Sequence, residues 1–104
     1  RYGHFQVGPA GDGLLVCDGY YQQDDDPPGG ARWLSLVEVD WQAERLAWHP
    51  LCSHGSPWRS QDDHPHPIFD HRGDAVWFTG GDDHGHRRVC RIAVPGPLRR
   101  PPLN

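Results

Sequence analysis

The residues best suited to chemistry lie in one short stretch, Gln61-Asp62-Asp63-His64-Pro65-His66-Pro67. His64 and His66 are two positions apart, so on an extended backbone both imidazoles point to the same face. Each histidine precedes a proline, which favours extended or polyproline geometry at the residue before it. Gln61 could bring a side-chain oxygen to the same point. We therefore predict half of a metal site, the alternative being two histidines on a solvated loop.

A repeated pattern of strands and turns predicts the elements that position this stretch. An offset of 62 positions aligns sixteen residues without a gap and places His66 over His4. Each unit has a first strand, a Gly-Asp turn and a continuous apolar run typical of a buried strand, followed by a loop and further strands. The apolar runs that align are Leu14-Leu15-Val16 and Val76-Trp77-Phe78. No helical period is found, so the pattern predicts an all-β chain.

A repeated unit of short strands is typical of the blade of a β-propeller. We predict a penultimate blade at 1–50, a connector at 51–63, a last blade at 64–95 and a C-terminal tail at 96–104. Two blades cannot close a ring, and the sequence contains no Met, so we expect a fragment of a longer chain with the remaining blades upstream. The alternative is two unrelated hairpin sheets whose sequences match by chance.

The predicted architecture brings a third histidine to the pair. The first strand of a propeller blade lines the central channel, so His4 is expected to lie close to His64 and His66. Three imidazoles and the Gln61 amide then form a set of neutral ligands that suits Mn, Fe, Ni, Cu or Zn. We expect Asp62 and Asp63 to orient the imidazoles or to face solvent.

Composition narrows the range of partners and compartments. The formal net charge of −4 argues against nucleic acid, because nucleic-acid-binding domains usually carry a basic stripe. The three cysteines form neither a Cys-x-x-Cys zinc pattern nor an even set for disulfides, which favours reduced thiols in a cytoplasmic protein. No signal peptide or long apolar run opens the sequence, so we expect no membrane partner.

Three motifs in this order resemble the oligogalacturonate lyases. Gly3-His4-Phe5, with the segment from Gly11 to Gly19, is similar to the penultimate-blade segment of that family. His54-Gly55-Ser56-Pro57-Trp58 resembles its His-x-x-Ser-Trp connector, although Pro57 stands where Ser is expected. Gln61-x-x-His64-x-His66-Pro67 resembles its last-blade metal motif. The resemblance runs from residue 3 to about residue 95.

This resemblance implies a seven-bladed propeller that holds a divalent metal, typically manganese (Mn²⁺), in its channel. The metal ligands implied here are His4, Gln61, His64 and His66. The implied activity is β-elimination on short galacturonate oligomers during pectin breakdown, which makes a small acidic oligosaccharide the expected partner. The family's base and its charge partner come from earlier blades, so we assign no catalytic residue in this chain and expect it to be inactive alone.

The connector supplies two candidates for substrate binding. Arg59 could pair with a substrate carboxylate through its bidentate fork, the alternative being a solvated side chain. His54 is a candidate for substrate contact or for supporting the metal ligands. His84 and His86 lie in a segment rich in Gly and Asp, which predicts a plain turn.

Two other functions remain open at this stage. The first is a TolB- or WD40-like propeller that binds proteins and holds no metal. The second is a metal-dependent propeller enzyme that acts on another uronic acid or carbohydrate.

Overall fold

The chain folds into two antiparallel β-sheets. The computed structural model describes residues 4–11, 13–18, 33–56, 64–82, 84–100 and 102. The first sheet has the order β1-β2-β3-β4, with strands Phe5–Val7, Leu14–Cys17, Trp33–Asp40 and Arg45–Ser53. The second has the order β5-β6-β7, with strands Ile68–Phe69, Ala75–Gly81 and Arg87–Ala93. The predicted all-β class is confirmed, and among the described residues the second sheet has three strands where the first has four.

Little of the described chain is helical. A 3-10 helix, Gly96–Leu98, follows β7 in the segment predicted as a tail. No helix in the described parts of the chain is long and apolar enough to cross a membrane.

One apolar core joins the two sheets. β2 and β3 are the inner strands of the first sheet and are mostly buried, as expected for strands whose sequences are nearly continuous apolar runs. β6 contributes alternate residues from the middle of the second sheet. The buried cluster consists of Leu14, Val16, Leu34, Leu36, Val76, Phe78 and Val94. Full burial of such a side chain stabilises the fold by about 1.5–3 kcal/mol.

The register of the two sheets differs by one residue at their first strands. Val7 pairs with Leu15 in the first sheet, and Ile68 pairs with Trp77 in the second. Leu15 and Trp77 are aligned in the sequence repeat, so Val7 is equivalent in space to Ile68 rather than to Phe69. The predicted equivalence of His4 and His66 therefore does not extend to the strand pairing. Seven residues lie between Val7 and Leu15, and eight lie between Ile68 and Trp77, which accounts for the difference.

Strand β4 is longer than the sequence predicts. The pattern favours a strand ending near Trp48, and the domain boundary is predicted at residue 50, yet β4 continues to Ser53. A β-bulge makes this possible, because Leu34 pairs with Cys52 while the next residue, Ser35, pairs with Pro50. Proline is tolerated here because β4 is an edge strand, on which outward N–H groups need no partner.

Polar bonds at the junction hold the two sheets side by side. The Phe69 N–H donates to Gln6 Oε1 at 2.7 Å, which ties β5 to β1. The Gly81 N–H donates to the His54 carbonyl at 3.0 Å, which ties β6 to the segment after β4. This junction contains the predicted site.

Candidate metal centre

The three predicted histidine ligands converge. His4 lies immediately before β1, and His64 and His66 lie four and two positions before the start of β5. The ring centroid of His4 lies 5.2 Å from that of His64 and 4.2 Å from that of His66, and the latter two are 5.9 Å apart. One ligand atom from each ring lies within 4.8 Å of the others. The structure thus brings together residues some sixty positions apart, as predicted.

The backbone at His66 differs from the expected extended geometry. Its φ is 46°, in the left-handed region, although the residue before a proline usually adopts β or polyproline angles. A non-glycine residue in this region costs about 1–3 kcal/mol and persists only where the surroundings fix it. The proposal of two imidazoles aligned along an extended strand is therefore wrong in its local detail. The turn at His66 coincides with the one-residue difference in register.

A buried carboxylate lies beneath the cluster. Asp18 follows β2 directly and is fully buried, with 0% exposure. Its Oδ1 accepts the backbone N–H of His4 at 2.6 Å, and its Oδ2 contacts His4 Nδ1 at 2.8 Å. Oδ2 also accepts the backbone N–H of His66 at 3.2 Å. One carboxylate therefore contacts both halves of the histidine cluster.

The contact with Asp18 favours one proton position on His4. An ionised carboxylate only accepts hydrogen bonds, so Nδ1 of His4 must carry the proton and donate it to Asp18. In neutral His4 the lone pair then lies on Nε2, the nitrogen left for a metal. Metal-binding histidines commonly donate their other ring N–H to a carboxylate in this way.

His54 supports Asp18 from the opposite side. Its ring is 2% exposed, Nδ1 accepts the backbone N–H of Ser56 at 3.0 Å, and Nε2 lies 3.2 Å from the Asp18 carbonyl oxygen. Nε2 therefore donates to that carbonyl. The assignment of His54 to substrate binding remains a prediction, and its burial favours the alternative of supporting the metal ligands.

The ligand atoms of the three rings are close enough for a metal site to form by small movements of the side chains. Metal–nitrogen bonds of about 2.0–2.1 Å place neighbouring ligand nitrogens about 3–3.5 Å apart. The three ligand atoms already lie within 4.8 Å of one another, so rotation of the rings can bring them to these separations. Rotation is open to His66, which is exposed, more than to His4, whose Nδ1 is held by Asp18.

Four of the residues discussed in the sequence analysis lie in the segment 57–63, outside the described residues. Gln61, the proposed fourth ligand, lies outside the described residues, as do Arg59, Asp62 and Asp63. Their roles stay predictions.

His84 and His86 form a turn, as predicted, around a second aspartate. Asp82 Oδ1 accepts the backbone N–H groups of both histidines, and its Oδ2 lies 2.9 Å from His86 Nδ1. The hydrogen bond with the His86 ring, followed by the backbone N–H of His86, lowers the pKa of Asp82 to about 2. These exposed rings lie apart from the cluster of three histidines.

Asp18 is the functional residue that the sequence reading missed. The signal available was an acidic residue directly after the apolar run Leu14–Cys17, where the chain is expected to leave the core. The same position in the second unit is Gly80, so the repeat itself gives no indication of a carboxylate.

Comparison of the chain with family models, with curated proteins and with solved structures found no match. The class defined by fold and site is thus an all-β protein of two antiparallel sheets with a cluster of three histidines at their junction.

Proposed function

We propose that His4, His64 and His66 bind a divalent transition-metal ion, with Gln61 as a fourth ligand. The observation that carries the proposal is the convergence of three imidazoles from the starts of two different sheets. Such convergence is unusual for solvated histidines, which have no reason to face one another. The orientation of His4 by a buried carboxylate is a second supporting feature.

The donor set fits the proposed ion. Neutral imidazole nitrogens and an amide oxygen suit Mn, Fe, Ni, Cu or Zn, and the motif resemblance favours Mn²⁺. The buried carboxylate of Asp18, which contacts the ring of His4, favours a cation over an anion at this point.

We further propose that the site serves a lyase of the oligogalacturonate type. A divalent cation bound to a uronate carboxylate stabilises the charge that develops when the proton on the adjacent carbon is removed. The residues of this chain would hold that cation at an accessible edge, where the exposed His66 leaves room for an acidic oligosaccharide. No residue of this chain is assigned as the base.

The architecture supports a place for the site within a β-propeller. Two adjacent antiparallel sheets share one core, and the proposed ligands precede the first strand of each. We propose that they are neighbouring blades, with further blades upstream. The three cysteines are present as thiols, which is compatible with a reducing cytoplasm, the proposed location.

Metal binding is tested by dialysis against Mn²⁺ or Zn²⁺ and by elemental analysis of the full-length protein. We expect one equivalent of metal in the wild-type protein, a loss of at least tenfold in affinity for His64→Ala, and wild-type binding for the control His84→Ala. Stoichiometric binding that both variants retain would contradict the assignment. Absence of metal from the wild-type protein would favour the protein-binding propeller.

Lyase activity is tested separately by following the absorbance of the unsaturated uronate product during incubation with digalacturonate. We expect activity in the metal-loaded full-length protein, its loss in EDTA and its recovery on adding Mn²⁺. A protein that binds metal and leaves digalacturonate intact would instead be an enzyme for another uronic acid or carbohydrate.

A further inference from the structure

Asp18 lies at the junction of the two sheets, where it contacts a histidine that precedes the first strand of each of them. It is the one residue in the described chain that contacts both His4 and His66 through its carboxylate. It is fully buried, and its own backbone carbonyl lies 3.2 Å from Nε2 of the buried His54. Its orientation is therefore fixed by protein groups on two sides.

Two backbone N–H groups, one on each oxygen, fix the carboxylate of Asp18 in place. Oδ1 of Asp18 accepts the backbone N–H of His4, and Oδ2 accepts the backbone N–H of His66 and lies 2.8 Å from His4 Nδ1. An asparagine amide would offer one oxygen and one NH₂ group. Either orientation of that amide would set its NH₂ against a backbone N–H, of His4 in one case and of His66 in the other.

The second unit of the repeat carries no carboxylate at the aligned position. The residue aligned with Asp18 is Gly80, and a Cβ added there would lie 2.7 Å from Cys90 Sγ. The backbone of His66 reaches the carboxylate of the first unit instead. One acidic side chain thus serves the histidines of both units.

We propose that Asp18 is the positioning residue of the histidine cluster: it holds His4 as the Nδ1–H tautomer, with Nε2 presented to the cluster, and fixes the backbone of His66 beside it. The inference rests on the proposed metal site for its consequence, because the tautomer decides whether Nε2 can ligate. The tautomer itself is a property of the metal-free protein. Carboxylates that orient a ligating histidine typically contribute 10–100-fold to metal affinity.

The first test measures the His4 tautomer in the metal-free full-length protein by long-range ¹H–¹⁵N correlation at a pH where the ring is neutral. We expect a proton on Nδ1 and an unprotonated Nε2. A proton on Nε2 would overturn the proposal, whether or not the protein binds metal. This readout therefore separates failure of the positioning role from failure of the proposed function.

The second test compares Asp18→Asn with the control Asp40→Asn, which changes an exposed aspartate that accepts two backbone N–H groups in a turn. We expect Asp18→Asn to shift His4 toward the Nε2–H tautomer and to lower Mn²⁺ or Zn²⁺ affinity about 10–100-fold. We expect wild-type behaviour from the control. Wild-type affinity together with an unchanged Nδ1–H tautomer in Asp18→Asn would overturn the proposal. If that variant does not fold, the wild-type tautomer decides the question alone.

Discussion

Gly55 offers the sharpest test of how the two sheets meet. It lies in the segment after β4, has a φ of 74°, and a Cβ built on it would overlap the carbonyl oxygen of Gly81 in β6. Gly55→Ala should therefore destabilise the fold in two ways, through the left-handed backbone and through the clash. The oxygen belongs to the main chain of a strand, so it cannot move aside as a flexible side chain would.

A matched glycine separates these two effects. Gly11 has a φ of 65°, and a Cβ added to it would meet nothing within 4 Å. Gly11→Ala should lower the free energy of unfolding by only the backbone cost, about 1–2 kcal/mol. Gly55→Ala should add the cost of overpacking, about 1–3 kcal/mol, to a similar backbone cost.

Urea unfolding followed by tryptophan fluorescence, with thermal unfolding as a second measurement, gives both values. Each kcal/mol of difference should appear as a further drop of about 4–8 °C in Tm for a domain of this size. The loss in Gly55→Ala should exceed that in Gly11→Ala by at least about 1 kcal/mol. Equal losses in the two variants would refute the close approach of residues 55 and 81, and with it the geometry of the junction.

Two further predictions concern ionisable groups. Burial, with a smaller contribution from Cys90, raises the pKa of Cys52 from its ordinary value of 9.0 to about 11. Cys52 should therefore react with iodoacetamide at pH 8 about 100-fold more slowly in the folded than in the urea-unfolded protein, and similar rates would contradict this environment. Because the folded state holds this proton more tightly, stability should also decrease as the pH rises from 9.0 to about 11. Asp82, whose pKa is lowered to about 2 by its bonds to His86, should stabilise its turn above its ordinary pKa of 3.8 and lose that effect as the pH falls through about 2. The carboxyl ¹³C shift of Asp82 measures this directly, and a midpoint near 3.8 would show that the bonds are absent in solution.

The buried strands were the most predictable part of the fold. Continuous apolar runs give β2 and the start of β6 their positions, because a strand covered on both faces has no place for polar residues. The end of β4 was not predictable in this way. A proline usually indicates that a strand ends. Pro50 does not end β4, because it lies on an edge strand beside a bulge.

The sequence predicted which histidines come together, but not the backbone conformation that brings them together. The repeat predicted that His4 meets His64 and His66, and the rings do meet, although the assumed equivalence of His4 and His66 does not extend to the strand pairing, which differs by one residue in register. The left-handed turn at His66 accompanies this difference. No residue type marks that turn in advance, because histidine adopts it only when tertiary contacts fix it.

Asp18 was missed for a related reason. Two of its three bonding partners are backbone N–H groups, which every residue except proline carries and which leave no pattern in a sequence. An acid after an apolar run usually marks the start of a solvated loop. Its full burial follows only from the packing of the two sheets.

The position of the histidines at the junction links the stability of the two docked sheets to the concentration of free metal. His4 precedes the first strand of one sheet, and His64 and His66 precede the first strand of the other. An ion held by all three would act as a reversible cross-link, present only when free metal exceeds its dissociation constant. At one hundred times that constant it would add about 2.7 kcal/mol to the stability of the docked arrangement. Metal supply would then set how firmly the neighbouring sheets stay together, in addition to any chemistry at the ion.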